Sequence, residues 1–409
     1  MNFSLSQLLE RAVNNKQKYI NNCIFICTLL LVSSLFISST LSSIFFILFL
    51  ITCLVGFLVN KYQVNSQTLN WLIISQILFT IILYFVHGQY LDSSVFNLVK
   101  MILKRYLPFY FFGLAFQVQS DKQKQIILNV IIGTGAFIGL IIILQNFGLF
   151  LRGNIGPSGL HSQPFTTGEL LLMGFFINLY KIFELKTLKE ISNKEKIINY
   201  IGLALQFIGL ILLSQRALWL GLMAGLFVYF VLNFKKLNLK LVLYTTISVL
   251  LLGIIAYKYS PKFQSKLSSF THLKQDKVGF GCRMEVWKLN WQKFKENPIF
   301  GTAEPIIYQC NQDKLGHAHN IILQKLVTQG LIGGILFIIF YGLLIFQTFK
   351  YETKIALVAV LIALLIEGLF ENWIEDSEVI LFFYYLVNLC LINKKLKPNV
   401  IQLNSVDLS

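Results

Sequence analysis

Long apolar segments constrain this chain more than any other feature of its sequence. A helix needs about 20 mostly apolar residues to cross a bilayer, and the 409-residue chain has about twelve segments that approach this length. They lie near residues 21–38, 41–60, 69–87, 96–118, 126–147, 165–182, 198–213, 217–233, 241–257, 321–347, 355–371 and 379–393. Apolar residues make up 56% of the composition, and the mean hydropathy is +0.67. The sequence therefore predicts an all-α, polytopic membrane protein with about twelve transmembrane helices.

The fourth segment differs from the others because charged residues interrupt it. Lys100, Lys104 and Arg105 lie within 96–118, so we expect this span to be short, tilted or partly interfacial. Each span reverses the side of the membrane, so the fourth one decides which side every later connection faces.

The charges of the short connections predict the orientation. Lysine and arginine in short loops are retained in the cytoplasm. With the N-terminus inside, the inner connections hold nineteen of these residues and the short outer connections hold two, Arg152 and Arg216. This asymmetry predicts that both termini are cytoplasmic.

One long polar stretch stands apart from the apolar segments. Residues 258–318 contain nine lysines and one arginine against five acids, and long loops translocate largely regardless of charge. The predicted domains are a transmembrane bundle of about nine helices (1–257), a large outer loop with short amphipathic helices (258–318), C-terminal transmembrane helices (319–393) and a cytoplasmic tail (394–409). We expect the chemistry in the outer loop, which is the main water-facing surface.

Two of the six cysteines, Cys282 and Cys310, lie in this outer loop. An oxidising compartment would permit a disulfide between them. Two loop thiols need not approach within bonding distance, so the sequence leaves the pairing open.

The basic character of the chain narrows the class of substrate. Its net charge of +16 follows largely from orientation and from attraction to anionic membrane lipids, and the sequence contains no nucleic-acid-binding module. There is no nucleotide supply outside the inner membrane. An enzyme that faces this way takes its activated substrate from the lipid phase, typically as a polyprenyl diphosphate. Arginine is the best ligand for the diphosphate, because its planar guanidinium donates two parallel hydrogen bonds.

Two arginines have the required positions. Arg216 lies in a very short outer turn between two apolar segments, where the alternative is an interfacial arginine that contacts lipid phosphate. Arg283 precedes Met284, Trp287, Trp291 and Phe294, whose spacing predicts one apolar face of an amphipathic helix that Pro298 and Gly301 terminate. For Arg283 the alternative is solvation of the helix start, although cations are unfavourable there.

Histidines at the mouth of the next apolar segment are the candidate bases. Gly316, His317, Ala318, His319 and Asn320 follow one another where the chain returns to the membrane. Histidine is suited to accept a hydroxyl proton near neutral pH, so His319 is the predicted base, with His317 and Asn320 as substrate-binding residues. A structural histidine is the alternative. A metal site is not predicted, because His-x-His supplies only two ligands.

Two other polar groups face the same side. Arg152 and His161 lie in the second-longest outer loop and are candidate substrate-binding residues, with a plain loop as the alternative. Glu367, Glu371, Glu375, Asp376 and Glu378 surround the last outer connection. We expect these acids to balance the basic loop or guide an acceptor, and a divalent-cation site is the less favoured interpretation.

These residues, in this order, resemble the O-antigen ligase and O-antigen polymerase superfamily of membrane glycosyltransferases. The resemblance is carried by Ser214 to Gly221, Arg283 to Gly301 and Gly316 to Gly334. It covers roughly residues 150–345, and the flanking helices resemble the family only in hydrophobicity.

The resemblance implies that a polysaccharide is transferred from undecaprenyl diphosphate to an acceptor sugar, on the periplasmic face of the bacterial inner membrane. Arg216 and Arg283 would bind the diphosphate, and His319 would activate the acceptor hydroxyl. The reaction would invert the anomeric carbon and require neither metal nor cofactor. The expected partners are the lipid-linked glycan donor, the lipid A core acceptor and membrane lipids, with no nucleic acid.

O-antigen ligase is the preferred member because this chain has one dominant late outer loop, whereas the polymerases usually carry two long ones. A protein O-oligosaccharyltransferase is a further alternative. A flippase or transporter for lipid-linked sugars is the alternative from a different class. Transporters place ionisable residues near the bilayer midplane, whereas here the candidates gather at one face.

Overall fold

The computed structural model describes most of the chain. The described residues are 5–60, 62–63, 66–87, 95–150, 158–161, 163–184, 193–234, 280–302, 308–310, 313–315, 317–350 and 354–391, with single positions between 254 and 268. The predicted segment 241–257 and most of the loop 258–279 therefore lie outside the described residues.

Within this part of the chain the structure is almost entirely helical. The helices are α1 (Leu5–Leu35), α2 (Ser39–Val59), α3 (Gln67–His87), α4 (Val95–Arg105), α5 (Pro108–Val118), α6 (Asp121–Asn146), α7 (Pro164–Leu179), α8 (Asn193–Leu212), α9 (Arg216–Asn233), α10 (Phe280–Glu296), α11 (Ile321–Phe349), α12 (Ile355–Gly368) and α13 (Ser377–Leu391). A π-helical turn, Tyr180–Glu184, extends α7, and a 3₁₀ turn, Trp373–Glu375, precedes α13. Two short antiparallel strands, β1 (Tyr308–Cys310) and β2 (Asp313–Leu315), form a hairpin in the predicted outer loop. The prediction of a helical fold is confirmed, and the hairpin is an addition that the sequence analysis did not foresee.

Seven described helices are long and apolar enough to cross a membrane, namely α1 from Val13, α2, α3, α6, α8, α9 and α11. Helices α12 and α13 are also apolar but shorter. The structure thus supports a multi-pass membrane protein, and it supports seven of the predicted spans by length and composition.

The fourth predicted span is two short helices, α4 and α5, rather than one continuous helix. Pro108 occupies the first turn of α5, where a missing N–H leaves no hydrogen bond unmade. The same residue cannot continue the ladder of α4, because it has no N–H to donate. The predicted irregularity is therefore present, and its position is set by proline as well as by the charges of α4.

Helices α7 and α13 form the interior of the bundle. All residues of α7 from Thr166 onwards are buried, and so is nearly every residue of α13. Helix α7 packs against α6, α8, α12 and α13. A helix that is apolar all round is stable when other helices surround it, which explains why these two need not be as long as a lipid-facing span.

Glycines bring α9 and α12 into close antiparallel contact. A Cβ atom at Gly221 would lie 2.7 Å from the carbonyl oxygen of Ala363 and 2.9 Å from Cβ of Glu367. One turn later, Gly225 faces Ala359 and Ala363. The pairing runs in opposite directions along the two helices, so the start of α9 and the end of α12 lie at the same end of the bundle.

A break in α11 allows backbone hydrogen bonds between this helix and the segment that follows α10. Gly330 has φ 65° and ψ −168° inside α11, a conformation that is essentially restricted to glycine. The break leaves backbone groups available to the segment after α10. Leu331 donates its N–H to the Pro298 carbonyl at 2.8 Å, and Thr302 donates to the Val327 carbonyl at 2.7 Å. This junction fixes the helix that carries Arg283 relative to the helix that follows His319.

Candidate active site

Glu371 lies at the centre of the candidate site. It follows α12 and its side chain is only 6% exposed. Its Oε1 atom lies 2.8 Å from Nδ1 of His319 and 3.7 Å from Nε2 of His317, and its Oε2 atom accepts a 3.2 Å hydrogen bond from Arg283. One carboxylate therefore brings together three of the residues predicted from the sequence.

The carboxyl group of Glu371 is held in its charged form. Burial opposes ionisation, but the hydrogen bond from His319 and the charge of Arg283 outweigh it and lower the pKa of Glu371. An ionised carboxylate only accepts hydrogen bonds. We therefore assign the ring proton of His319 to Nδ1, which leaves Nε2 with a lone pair that can accept a proton.

The backbone of His319 is in the left-handed region, with φ 47°. This conformation is unfavourable for a residue with a side chain, although histidine adopts it more often than most. Three contacts maintain the turn. Trp287 donates to the His319 carbonyl at 3.4 Å, Ala318 donates its N–H to Gln324 at 2.9 Å, and Asn320 caps α11 by accepting from Leu323 at 2.9 Å.

Helix α10 presents Arg283, but its buried face differs from the predicted one. The helix itself is confirmed and ends before Pro298. Cys282, Val286, Asn290 and Phe294 are buried at intervals of four, and Phe294 belongs to the predicted face. Met284 and Trp291 of that face are each 48% exposed. Asn290 tolerates burial because its amide donates to the Val286 carbonyl at 2.9 Å.

Arg216 begins α9, next to Ser214, whose φ of 57° turns the chain. Its side chain is partly buried. Because α9 and α12 are antiparallel, Arg216 lies about one and a half turns beyond Gly221 towards the end where Glu371 is found. Phosphate binding by Arg216 stays a prediction.

His317 packs beside His319, with ring centroids 4.0 Å apart. Burial and the neighbouring charge of His319 lower the pKa of His317, so the neutral ring is favoured. Its Nδ1 has no hydrogen-bond partner within the described residues. The ring is thus placed next to the predicted base without being tied to it.

The fold brings a third potential metal ligand, Glu371, next to the two histidines. His317, His319 and Glu371 each offer one ligand atom, and these atoms lie within 4.8 Å of one another. Glu371 is 52 residues beyond His319, which is why the spacing of the histidines alone did not reveal it.

The remaining predicted site residues occupy different places. Asn320 donates from its amide to the Leu369 carbonyl at 3.0 Å, so it connects α11 to the Glu371 segment. His161 is buried, and its Nε2 lies 2.7 Å from the Leu35 carbonyl, which ties its loop to α1. Arg152 lies outside the described residues. Substrate contact by these three residues stays a prediction.

The other acids of the last outer connection have separate partners. Glu375 accepts from Gln324 at 2.8 Å, and Asp376 accepts from Thr166 at 2.7 Å. Glu378 lies 3.3 Å from the hydroxyl of Ser42. Among the described residues, Glu371 is the one of these acids that the structure shows in direct contact with the two histidines and Arg283.

Cys282 is disulfide-bonded, whereas Cys23, Cys27, Cys53 and Cys390 are free. Of the six cysteines in the sequence, Cys310 is the one that remains. Cys310 lies in β1, and the structure does not describe the side chains of this strand. The disulfide fixes the start of α10, one residue before Arg283.

Glu371 is the main residue whose place in the candidate site could not be recognised from the sequence. It was visible only as one member of an acidic group, and nothing in the local sequence distinguished it from Glu375 or Glu378. The available signal was its position directly after the apolar residues from Gly368 to Phe370. Trp287 and Gln324, which hold the backbone of the histidine turn, had no signal of this kind.

Comparison with known proteins gives a family match over part of the chain. A family model described as O-antigen ligase matches residues 201–338, a range that contains Arg216, Arg283 and His319. None of the curated proteins matches the chain. This match covers about a third of the multi-pass membrane protein and supports the resemblance to the O-antigen ligase family drawn from the sequence.

Proposed function

We propose that this protein is an O-antigen ligase that transfers a polysaccharide from undecaprenyl diphosphate to a sugar of the lipid A core. The observation that carries the proposal is that Arg283 and His319, both within the matched range 201–338, contact the same carboxylate of Glu371, which lies beyond that range. The proposed base and the proposed phosphate ligand therefore lie side by side. The reaction needs both groups, because it deprotonates a hydroxyl and releases a diphosphate.

His319 acts as the general base. Its Nε2 accepts the proton of the acceptor hydroxyl while that oxygen attacks the anomeric carbon of the donor sugar. Glu371 keeps the ring in the correct tautomer and stabilises the imidazolium that forms, a role known from catalytic triads. General-base assistance of this kind contributes about 10²- to 10⁴-fold to the rate.

The arginines act on the leaving group. As the bond between the anomeric carbon and the diphosphate oxygen breaks, its electron pair passes to the diphosphate. Arg283 uses one of its five donors on Glu371, and Arg216 approaches from the same end of the bundle. Their charges neutralise the developing negative charge. A single displacement inverts the anomeric carbon, and no metal or cofactor takes part.

Two observations support an active site on the periplasmic side. The distribution of lysine and arginine in the connections favours cytoplasmic termini. The disulfide of Cys282 lies next to Arg283, and disulfides are stable in oxidising compartments. The active site would then open towards the periplasm of a bacterial inner-membrane protein.

A deletion strain of the bacterium that carries this protein provides the test. It is complemented with the wild-type protein, with His319→Ala or with the control His87→Ala, which alters a histidine at the end of α3 outside the site. Lipopolysaccharide gels report the glycans, and immunoblots of membranes report protein levels. We expect the strain that carries His319→Ala to attach no polysaccharide although the protein level is unchanged. The strain that carries His87→Ala should attach polysaccharide as the wild-type protein does.

The gel also separates the alternative functions. Long chains that accumulate unattached on the carrier indicate a ligase, whereas single repeat units on the core indicate a polymerase. Loss of glycan from a glycoprotein indicates a protein O-oligosaccharyltransferase. Full attachment by His319→Ala would contradict the proposed base. In purified components we expect transfer to persist in EDTA, and loss that Mg²⁺ restores would contradict a metal-independent reaction.

A further inference from the structure

The two histidines and Glu371 have the spacing of a zinc site. Zinc binds histidine nitrogen and carboxylate oxygen at about 2.0–2.2 Å, so tetrahedral ligand atoms lie about 3.3 Å apart. Oε1 of Glu371 is 2.8 Å from one imidazole nitrogen and 3.7 Å from the other. Shifts of about half an ångström would bring these two oxygen–nitrogen distances to the zinc geometry, and all three ligand atoms lie within 4.8 Å of one another.

The chemistry of the three groups selects the metal. Two imidazole nitrogens and one carboxylate oxygen suit zinc, and such a set with an open fourth position occurs in zinc enzymes. Mg²⁺ prefers six oxygen ligands and retains its waters. The set is therefore expected to bind zinc or cobalt and to discriminate against magnesium.

The surroundings keep the ligands in place. Arg283 donates to Oε2 of Glu371, and ligating carboxylates are commonly held by such outer hydrogen bonds. Trp287 holds the backbone carbonyl of His319. Nδ1 of His317 has no hydrogen-bond partner among the described residues, so moving this ring towards a metal breaks no hydrogen bond seen in the structure.

Metal binding at Nδ1 of His319 conflicts with general-base catalysis at Nε2 of the same ring. A metal on Nδ1 of His319 replaces the proton that Nδ1 donates to Glu371. The neutral ring then carries its one proton on Nε2, and Nε2 becomes a donor instead of an acceptor. In that state the ring cannot accept a proton from a hydroxyl.

We infer that His317, His319 and Glu371 form a binding site for a zinc ion, and that zinc in this site blocks glycan transfer. The inhibition rests on the proposed function, whereas the binding does not. The protein would then be active without metal and would lose activity reversibly when zinc enters its periplasmic compartment.

Binding is measured first, independently of any reaction. The full-length protein in detergent is stripped with EDTA, dialysed and titrated with Co²⁺, whose visible absorption reports a four-coordinate site. We expect one equivalent to bind, Zn²⁺ to displace it and Mg²⁺ to leave it in place. His317→Ala should weaken binding by more than the roughly 100-fold that loss of an outer-shell partner causes, and His87→Ala should leave it unchanged.

Absence of Co²⁺ binding, or equal binding by the wild type and His317→Ala, would overturn the site. Transfer is then measured in the wild-type protein and His87→Ala with increasing Zn²⁺. We expect activity to fall in proportion to occupancy and to return with EDTA. Full transfer at saturating zinc would overturn the inhibition. Metal binding without transfer in the metal-free protein would count against the proposed function and leave the metal site intact.

Discussion

The imidazole Nδ1 of His319 lies 2.8 Å from Oε1 of Glu371, although 52 residues separate the two in the chain. Oε2 of the same carboxylate accepts from Arg283. Three residues that are far apart in the sequence therefore share one carboxylate, and two of them are the proposed base and a proposed phosphate ligand.

Glu371→Gln should lower the transfer rate by about 10²- to 10⁴-fold. The amide preserves the shape of the side chain, but it lacks the charge that stabilises the imidazolium and can donate to Nδ1, which favours the wrong tautomer. The pH profile of transfer should shift together with the rate. Glu375→Gln is the matched control, since its partner Gln324 can donate equally well to an amide oxygen. Equal loss in both variants would contradict a specific role for Glu371.

Arg283→Lys should reduce the transfer rate by more than tenfold even though the charge is preserved, because a lysine ammonium cannot donate two parallel hydrogen bonds to a diphosphate. The rate and the KM for the lipid-linked donor are measured in purified protein. Lys288→Ala, on the exposed side of α10, removes a charge from the same helix and should change little. Wild-type rates for Arg283→Lys would show that charge alone suffices.

Acidification should destabilise the protein through His317. Its folded-state pKa is lowered by burial, then by the charges of His319 and Arg283, against the opposing effect of Glu371 and Glu375. The unfolded chain takes up a proton near pH 6.5, so the neutral ring contributes its full stability above that pH and loses it as the pH falls below. The Glu371 carboxylate, whose pKa is also lowered, contributes above about pH 4.3 and does not change in this range.

The prediction for His317 is tested by thermal unfolding in detergent and EDTA, so that no metal competes for the ring. Between pH 7 and pH 5, the Tm of the wild-type protein should fall more than that of His317→Asn. Equal slopes for the two proteins would show that His317 is not responsible.

Gly330→Ala should destabilise the protein by about 1–3 kcal/mol or more. A Cβ atom at this position would collide with the Ile299 carbonyl oxygen, and the backbone conformation excludes a side chain. Gly342→Ala is the control, because it lies in the same helix with nothing within 4 Å of its Cβ position. Thermal unfolding and folded yield provide the measurement, and similar values for the two variants would contradict the proposed junction between α10 and α11.

Sequence patterns alone were enough to identify the class of protein and three of the candidate residues. Span length and composition are local properties, so the apolar segments could be located without knowledge of their partners. Arg216, Arg283 and His319 were recognisable because a charged or titratable residue beside an apolar segment is costly and therefore informative. The start of α10 and its end before Pro298 followed from helical spacing and helix-terminating residues.

The arrangement of these residues in space depends on how the helices pack. Glu371 acquired its role only when α12 returned the chain to the histidine turn, because side-chain contacts across 52 residues leave no periodic trace in the sequence. The buried face of α10 likewise depends on its packing against α11. This packing buries Cys282, Val286 and Asn290, whereas Met284 and Trp291 stay exposed. Burial and hydrogen bonding are properties of the packed chain, and they converted an acidic residue of no evident function into the centre of the site.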